Sequence, residues 1–442
     1  LTAVTLFPYQ REIINAVLDS VLYRRGLTFS VEIARQGGKN ELSAWIEAIL
    51  LNFSSEEQRN IIKCAPTFNP QALISLRRLC GLLDRRQSLR GYHIETGNTV
   101  RLGEARCIFL SASPPANVVG NTAHLLLEVD EAQDVAIDKF NRDFKPMTAV
   151  ANATTVLYGT PWKADTLLEE VKQTNLALEQ RDGIKRHFHF DWQVVAACRP
   201  FYKAHVENEL ARLGENHPMF RTQYALLPVS SGGGFLSDTQ LMALAGQYPA
   251  SRMPQPGAVY VAGLDLGGDA TAAADSSVLT IAEINPGAAG DSPVRVVRHY
   301  AWTGLPANKL VNSVVTVAQT WKLRRLVADA TGLGQPLTGL LKQSLGNRVV
   351  SFVFTRKTKS ELGYEMLAAA STGRLTLYNR DASLDGTECW RQLENAAADY
   401  HPDRSMNFYV DPSRGHDDYL ISLALTLKAA DGYRPRAAFG CR

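Results

Sequence analysis

Cysteine is scarce in this chain and scattered where it occurs. Six cysteines in 442 residues (Cys64, Cys80, Cys107, Cys198, Cys389 and Cys441) never fall at C-x-x-C spacing. That argues against a disulfide framework and a structural zinc site, and for free thiols in a reducing compartment. Long apolar runs are missing too. No stretch reaches the ~18 residues a membrane helix needs, and Val119–Val129 is broken by Asn121 and His124. The opening residues lack the pattern of a secretory signal. Neither sign of charge dominates: the formal net charge is +3, so a nucleic-acid partner would be gripped by a local basic patch. No internal repeat is visible. Hydrophobic residues make up 45% and charged residues 21%, which excludes disorder, collagen and coiled coil. The length suits two or three domains.

What the chain does have is alternation. Apolar β-branched runs and helical patterns follow one another on both sides of Ser230-Ser231-Gly232-Gly233-Gly234, which reads as a flexible linker. The pattern predicts α/β architecture with mostly parallel sheets. Ile284–Pro293 reads as a hairpin or surface loop, and Ala429–Arg442 as a peripheral tail.

In the first half, the apolar run Leu27–Ala34 leads into Arg35-Gln36-Gly37-Gly38-Lys39-Asn40 and then a helical pattern from Glu41 to Leu51. Strand, glycine-rich turn, lysine and helix form the phosphate-cradling layout, with backbone N–H groups on phosphate oxygens and the lysine on the β- and γ-phosphates. Ile33 stands where the first glycine belongs, and Asn40 replaces the hydroxyl that binds Mg²⁺. His124–Val129 is a strand ending in Asp130-Glu131, 91 residues after Lys39. At a neighbouring strand end, Asp130 would hold Mg²⁺ and Glu131 would deprotonate the attacking water. Gln10 could read an adenine edge. Thr160, ending Val156–Pro161, could sense the γ-phosphate. His187 and His189 alternate with Phe188 and Phe190, a strand with its polar face outward rather than a metal site. Trp162 and Trp192 are expected in the core or an interface.

In the second half three acidic clusters sit at element ends. Asp265 closes a strand, Asp329 closes another, and Gly415-His416-Asp417-Asp418 opens an apolar helix from Tyr419. They are 64 and 88 residues apart. Converging on one sheet, they would hold two Mg²⁺ or Mn²⁺ ions and hydrolyse a phosphodiester. Asp275 is a further outer candidate, and Asp269 reads as a turn residue. Arg356, Lys357, Lys359 and Arg374 could grip a DNA backbone.

Taken together these motifs resemble the large terminase subunit of tailed bacteriophages. Arg35–Lys39 resembles that family's Walker A, Phe7–Gln10 its adenine motif, and Cys64-Ala65-Pro66-Thr67 its helicase-like motif. Asp130-Glu131-Ala132 resembles its Walker B, Gly159-Thr160-Pro161 its coupling motif, and Phe220–Tyr224 its join between motor and nuclease. The resemblance implies a P-loop (ASCE/RecA-like) ATPase domain over 1–229, with a lid over 165–229. A linker over 230–250 and a ribonuclease H-like nuclease domain over 251–442 follow. It implies catalytic Glu131, Asp265, Asp329 and Asp417 with Asp418 assisting, ATP and Mg²⁺ as cofactors, and double-stranded DNA as substrate. It also implies a homo-oligomeric ring, portal and small-terminase partners, and work in the host cytoplasm. The family's arginine finger is not placed: no Arg or Lys lies between Cys107 and Val129, leaving Arg101, Arg106 or Arg142. An actin-like or sugar-kinase ATPase, reading Leu264–Gly268 as a phosphate turn, and a DNA-binding scaffold without turnover are the alternatives.

Overall fold

The computed structural model describes residues 6–86, 89, 91–229, 234–267, 276–285, 293–332, 334–381 and 383–431. The chain divides into two compact units. The first is Leu1–Glu209 with Pro218–Ser230, and the second is Leu210–His217 with Ser231–Arg442. None of the described helices is long and apolar enough to cross a membrane.

The first unit is built on an eight-stranded sheet. Its strands are β1 (Thr28–Ile33), β2 (Asn60–Ala65), β3 (His93–Glu95), β4 (Thr99–Leu102), β5 (Ala105–Ser111), β6 (Leu126–Val129), β7 (Thr154–Gly159) and β8 (His187–Phe190), in the order β3-β4-β5-β2-β6-β7-β1-β8. From β5 to β8 every pairing is parallel, and β3-β4-β5 is an antiparallel meander at one edge. Central strands covered on both faces read as near-continuous apolar runs, with Glu128 of β6 a wholly buried exception. Accordingly β6 and β7 are buried at every position. One expectation needs correcting: β6, which bears Asp130 and Glu131, is not the neighbour of β1, because β7 lies between them. The carboxylates and the glycine turn still emerge from the same carboxyl-end edge, where ligands bind in open parallel sheets.

The second unit has a six-stranded sheet made of β9 (Val259–Asp265), β10 (Ser276–Ile284), β11 (Val294–Thr303), β12 (Arg325–Asp329), β13 (Val349–Phe352) and β14 (Leu375–Leu377), ordered β13-β12-β9-β10-β11-β14. β9, β10 and β11 form an antiparallel meander, while β12 runs parallel to β9 and β13 parallel to β12. A separate hairpin joins β15 (Ala396–Tyr400) and β16 (Met406–Val410). Alternation along β9 divides the core. Tyr260, Ala262 and Leu264 face a cluster with Val314 and Trp321, whereas Val261 faces one with Leu420 and Leu423. Gly263 shares the face of Val261. A β-carbon there would lie 2.3 Å from Ser422 O and Thr426 N, so glycine is what lets the helix Asp418–Ala430 lie against the sheet.

Residues 234–250, read as linker, belong to this core. Phe235 stacks on Phe408 with ring centroids 5.0 Å apart, and Leu236 and Leu244 are buried. Ser237 caps a short helix, Asp238–Leu244. Ile284–Pro293 does connect the β10–β11 hairpin, although 286–292 lie outside the described residues, as do Asp269, Asp275 and the tail from 432. The described tail residues continue the last helix to Ala430.

Candidate functional site: a phosphate turn and a carboxylate edge

The turn after β1 is held by its carbonyls. Tyr202 donates its hydroxyl to Arg35 O (2.9 Å), Arg199 a guanidinium N–H to Gln36 O (3.3 Å), Tyr9 its hydroxyl to Gly37 O (2.6 Å) and Gln10 its amide to Gly38 O (3.3 Å). Each peptide plane sets its N–H opposite its carbonyl. Tethering four successive carbonyls therefore fixes the direction of the N–H groups of Gln36, Gly38 and Lys39, while Gly37 N–H bonds Ala34 O. Gly38 sits at φ +94°, and a β-carbon on Gly37 would meet Ile33 Cγ2 at 2.5 Å and Ala34 O at 2.8 Å. Both glycines are thus dictated by backbone geometry. The helix Lys39–Phe53 begins here without a side-chain cap, so its first-turn N–H groups make an anion seat. Asn40 lies in that first turn, half-buried.

Gln10 is better described as a loop brace than as a base reader. Its Oε1 accepts Phe7 N–H (2.9 Å) while its Nε2 holds Gly38 O, so both ends of the amide are engaged with backbone.

Across the cradle, Lys39 Nζ lies 3.3 Å from Glu131 Oε1. Glu131 has φ +46°, rare for a residue with a side chain. Asp130 is 5% exposed; it takes Ser75 Oγ at 3.4 Å and caps Glu131 N–H at 3.1 Å. Burial pushes its carboxyl above the usual range, and Lys63 and Lys39 oppose that shift. Thr160 is buried at the end of β7, as expected of a residue close to the turn.

Sequence reading missed two glutamines. Gln133 Nε2 donates to Glu131 Oε2 (2.6 Å), and its Oε1 accepts Thr160 N–H (3.3 Å). Gln223 Nε2 donates to Thr160 Oγ1 (3.1 Å), and Gln223 O accepts Arg35 N–H (2.7 Å). The signal for Gln133 was its place two residues beyond the acidic pair. Gln223 had only its place in Phe220–Tyr224.

The histidine strand also departs in part from expectation. His187 and His189 both reach Glu32, which is wholly buried, with His187 half-buried and His189 exposed: His189 Nδ1 lies 2.9 Å and His187 Nε2 3.7 Å from Glu32 Oε2. Among the described residues these three are the set whose ligating atoms all lie within 4.8 Å of one another. Lys172 Nζ, 3.3 Å from Glu32 Oε1, already supplies the opposite charge. A buried carboxylate needs that partner, and the two imidazoles approach its second oxygen from the strand alongside. Trp162 is buried and Trp192 half-buried, its ring edge-on to Phe220.

In the second unit the strand registers align the acids. Ala328 pairs with Leu264, so Asp329 and Asp265 end adjacent parallel strands one step further on. Val327 and Val261 face the same core cluster as Leu420, so Asp329 and Asp265, each an even number of residues on, share that face. Asp418 begins the helix packed there and accepts Ser276 N–H at 3.4 Å; Asp417 is the residue before it. Asp329 Oδ1 accepts Thr331 N–H at 2.8 Å, and burial raises its carboxyl's pKa against that bond. No three of the four acids bring their oxygens within 4.8 Å of one another among the described residues. The donor set is nonetheless all carboxylate oxygen, which suits Mg²⁺ or Mn²⁺.

The basic residues split. Thr331 Oγ1 accepts Phe354 N–H, which brings the helix Arg356–Ser371 close to the Asp329 turn. Lys357 is exposed in its first turn, whereas Arg356 bonds Asp403 (3.1 Å) and Lys359 lies over the Phe408 ring. Arg374 is committed to Glu365 and Asp431. Of the finger candidates, Arg101 and Arg106 are tied to Glu95, and Arg142 to Asp143.

No protein-family profile and no curated protein matches this chain. Solved structures do. The large terminase of a thermophilic bacteriophage aligns over 94% of this chain and 98% of its own, at TM-score 0.51 and 13% identity. That of bacteriophage HK97 aligns over 97% and 96%, at 0.45 and 17%. The large terminase nuclease of the thermophilic phage G20c aligns over 43% of this chain and 95% of its own, at 0.35 and 19%. In fold, therefore, the chain is similar to the first of these large terminases: two α/β units, one on an eight-stranded, largely parallel sheet and one on a six-stranded mixed sheet.

Proposed function

We propose that this chain is a genome-packaging motor subunit, in which ATP hydrolysis drives double-stranded DNA into a procapsid and a metal-dependent endonuclease cuts concatemeric DNA. The observation that carries the reading is the approach of Lys39 to Glu131 across a glycine turn whose four carbonyls are tethered. Only a polyanion seated on that turn gives both residues a task at once. The phosphates of ATP would rest on Gln36–Asn40, and Glu131 would take the proton of the attacking water. Thr160 would pass the state of the site onward.

Asp130 would hold Mg²⁺ in the first unit, and Asp265, Asp329, Asp417 and Asp418 would hold Mg²⁺ or Mn²⁺ in the second. Bound there, such ions neutralise phosphate charge and make a coordinated water more acidic. Asp329 would bring a carboxyl already burdened by burial, the kind of group that gains most from a nearby cation. Arg356, Lys357 and Lys359 would hold DNA phosphates without regard to sequence. A ring of subunits, a portal protein, a small terminase subunit and the host cytoplasm complete the proposal.

The test is direct. The full chain is assayed for ATP hydrolysis with and without linear double-stranded DNA, and for nicking of supercoiled plasmid with Mg²⁺ or Mn²⁺. DNA-stimulated hydrolysis together with metal-dependent nicking is the expected result. A protein that binds DNA yet does neither would be a scaffold, and the proposal would fall.

A further inference from the structure

We infer that Gln133 is the positioning residue of the hydrolytic site, fixing the Glu131 carboxylate and wiring it to Thr160. The inference rests on the reading of Glu131 as the general base. Gln133 is 6% exposed, Thr160 2% and Gln223 5%. The orientation of the Gln133 amide is set by its partners. Its Nε2 faces Glu131 Oε2 at 2.6 Å and Asp134 Oδ2 at 3.3 Å, while its Oε1 faces the Thr160 N–H. Reversing it would set an oxygen against two carboxylates and an NH₂ against an N–H. Gly159 makes room: a β-carbon there would sit 2.1 Å from Gln133 Oε1.

The two oxygens of Glu131 thereby have different fates. Oε1 takes Lys39, and Oε2 takes Gln133. A triphosphate seated on the turn competes for the Lys39 ammonium and releases Oε1 toward water. Oε2 stays anchored, so the carboxylate keeps its aim at a backbone of positive φ. The same amide carries the news outward. From Gln133 Oε1 the bonds run to Thr160 N–H, from Thr160 Oγ1 to Gln223, and from Gln223 O to Arg35 N–H. The circuit returns to the phosphate turn it started from. A shift at Glu131 is felt by the coupling strand and the turn together, because the two middle links, at Thr160, are buried hydrogen bonds that are costly to leave unmade.

The test compares wild type with Gln133→Glu, Gln133→Leu, Thr160→Val and Glu131→Gln for steady-state hydrolysis, fluorescent ATP-analogue binding and pH–rate profile. Gln133→Glu keeps shape and keeps an acceptor for Thr160 N–H, but sets a second carboxylate against Glu131. Its kcat should fall about 100-fold with KM and analogue affinity within about twofold of wild type, and its acid limb should move to higher pH through like-charge repulsion. Gln133→Leu should lose kcat without moving the limb. Thr160→Val, nearly isosteric, should lose about tenfold in kcat at unchanged affinity, the size of one lost hydrogen bond. Both Gln133 variants turning over within about threefold of wild type, with Glu131→Gln inactive, would overturn the inference and leave the proposed function standing. Glu131→Gln turning over like wild type would overturn both.

Discussion

Lys39 and Glu131 face each other at 3.3 Å although they stand on different elements with a whole strand between them. On the proposed reading, in which Glu131 is the base, phosphate displaces the lysine by offering it a stronger partner, so binding and activation would be linked at one contact. Glu131→Gln should reduce ATP hydrolysis about 1,000-fold while fluorescent ATP-analogue affinity stays near wild type. Lys39→Ala should lose analogue binding as well. A Glu131→Gln protein that no longer binds nucleotide would contradict this division of labour.

Gln10 offers a second check. If its amide braces the turn through Gly38, Gln10→Ala should weaken ATP and GTP binding alike. The loss should be up to about tenfold, the worth of a hydrogen bond. A competition assay that shows selective loss of ATP would return Gln10 to base recognition.

In the second unit stability and cutting should separate. Asp265→Asn should abolish plasmid nicking with little change in melting temperature, since the amide keeps the volume of the carboxylate it replaces. Gly263→Val, by contrast, should damage stability and cutting together. Its branched side chain meets helix backbone at 2.3 Å, and overpacking of this kind costs about 1–3 kcal/mol. Thermal denaturation should register that loss, and nicking should fall as Asp418 is pushed from Ser276.

His299 is 1% exposed, and burial, seconded by Arg298, pushes its pKa down to about 3. The folded imidazole therefore stays neutral where the unfolded one, near 6.5, takes up a proton. Its contribution to stability is complete above about pH 6.5 and drains as pH falls from there towards about 3. At about pH 5 the deficit is about 1.5 pH units, or about 2 kcal/mol. Urea unfolding at about pH 7 and about pH 5 should show wild type losing that much more than His299→Gln. Equal losses would mean the imidazole is charged in the fold.

How much of this was legible from residues alone depends on range. The glycine turn, Lys39, the Asp130-Glu131 strand end and the acidic ends at 265, 329 and 418 are local signals, each written within a few residues, and each stands where its neighbours imply. Gln133 and Gln223 were passed over because the residue they share, Thr160, lies 27 residues from one and 63 from the other. The outward reading holds for His189, which is exposed, but a strand pattern does not reveal that Glu32, on the strand beside them, is buried and draws both imidazoles. The glycine run at 232–234 suggested a linker, but Phe235 and Leu236, next in the chain, are buried in the core of the second unit.

The chain's division has a practical corollary. Residues Leu210–His217 go with the second unit although Pro218–Ser230 return to the first. Inside that second body Gly214 sits hard against Ser371, and the His217 ring meets the Tyr364 carbonyl. A gene fragment opened at the glycine stretch would encode a second unit missing one of its own pieces. Dissection at the most inviting cut site would thus measure an incomplete body, and faithful separation calls for carrying the 210–217 segment along.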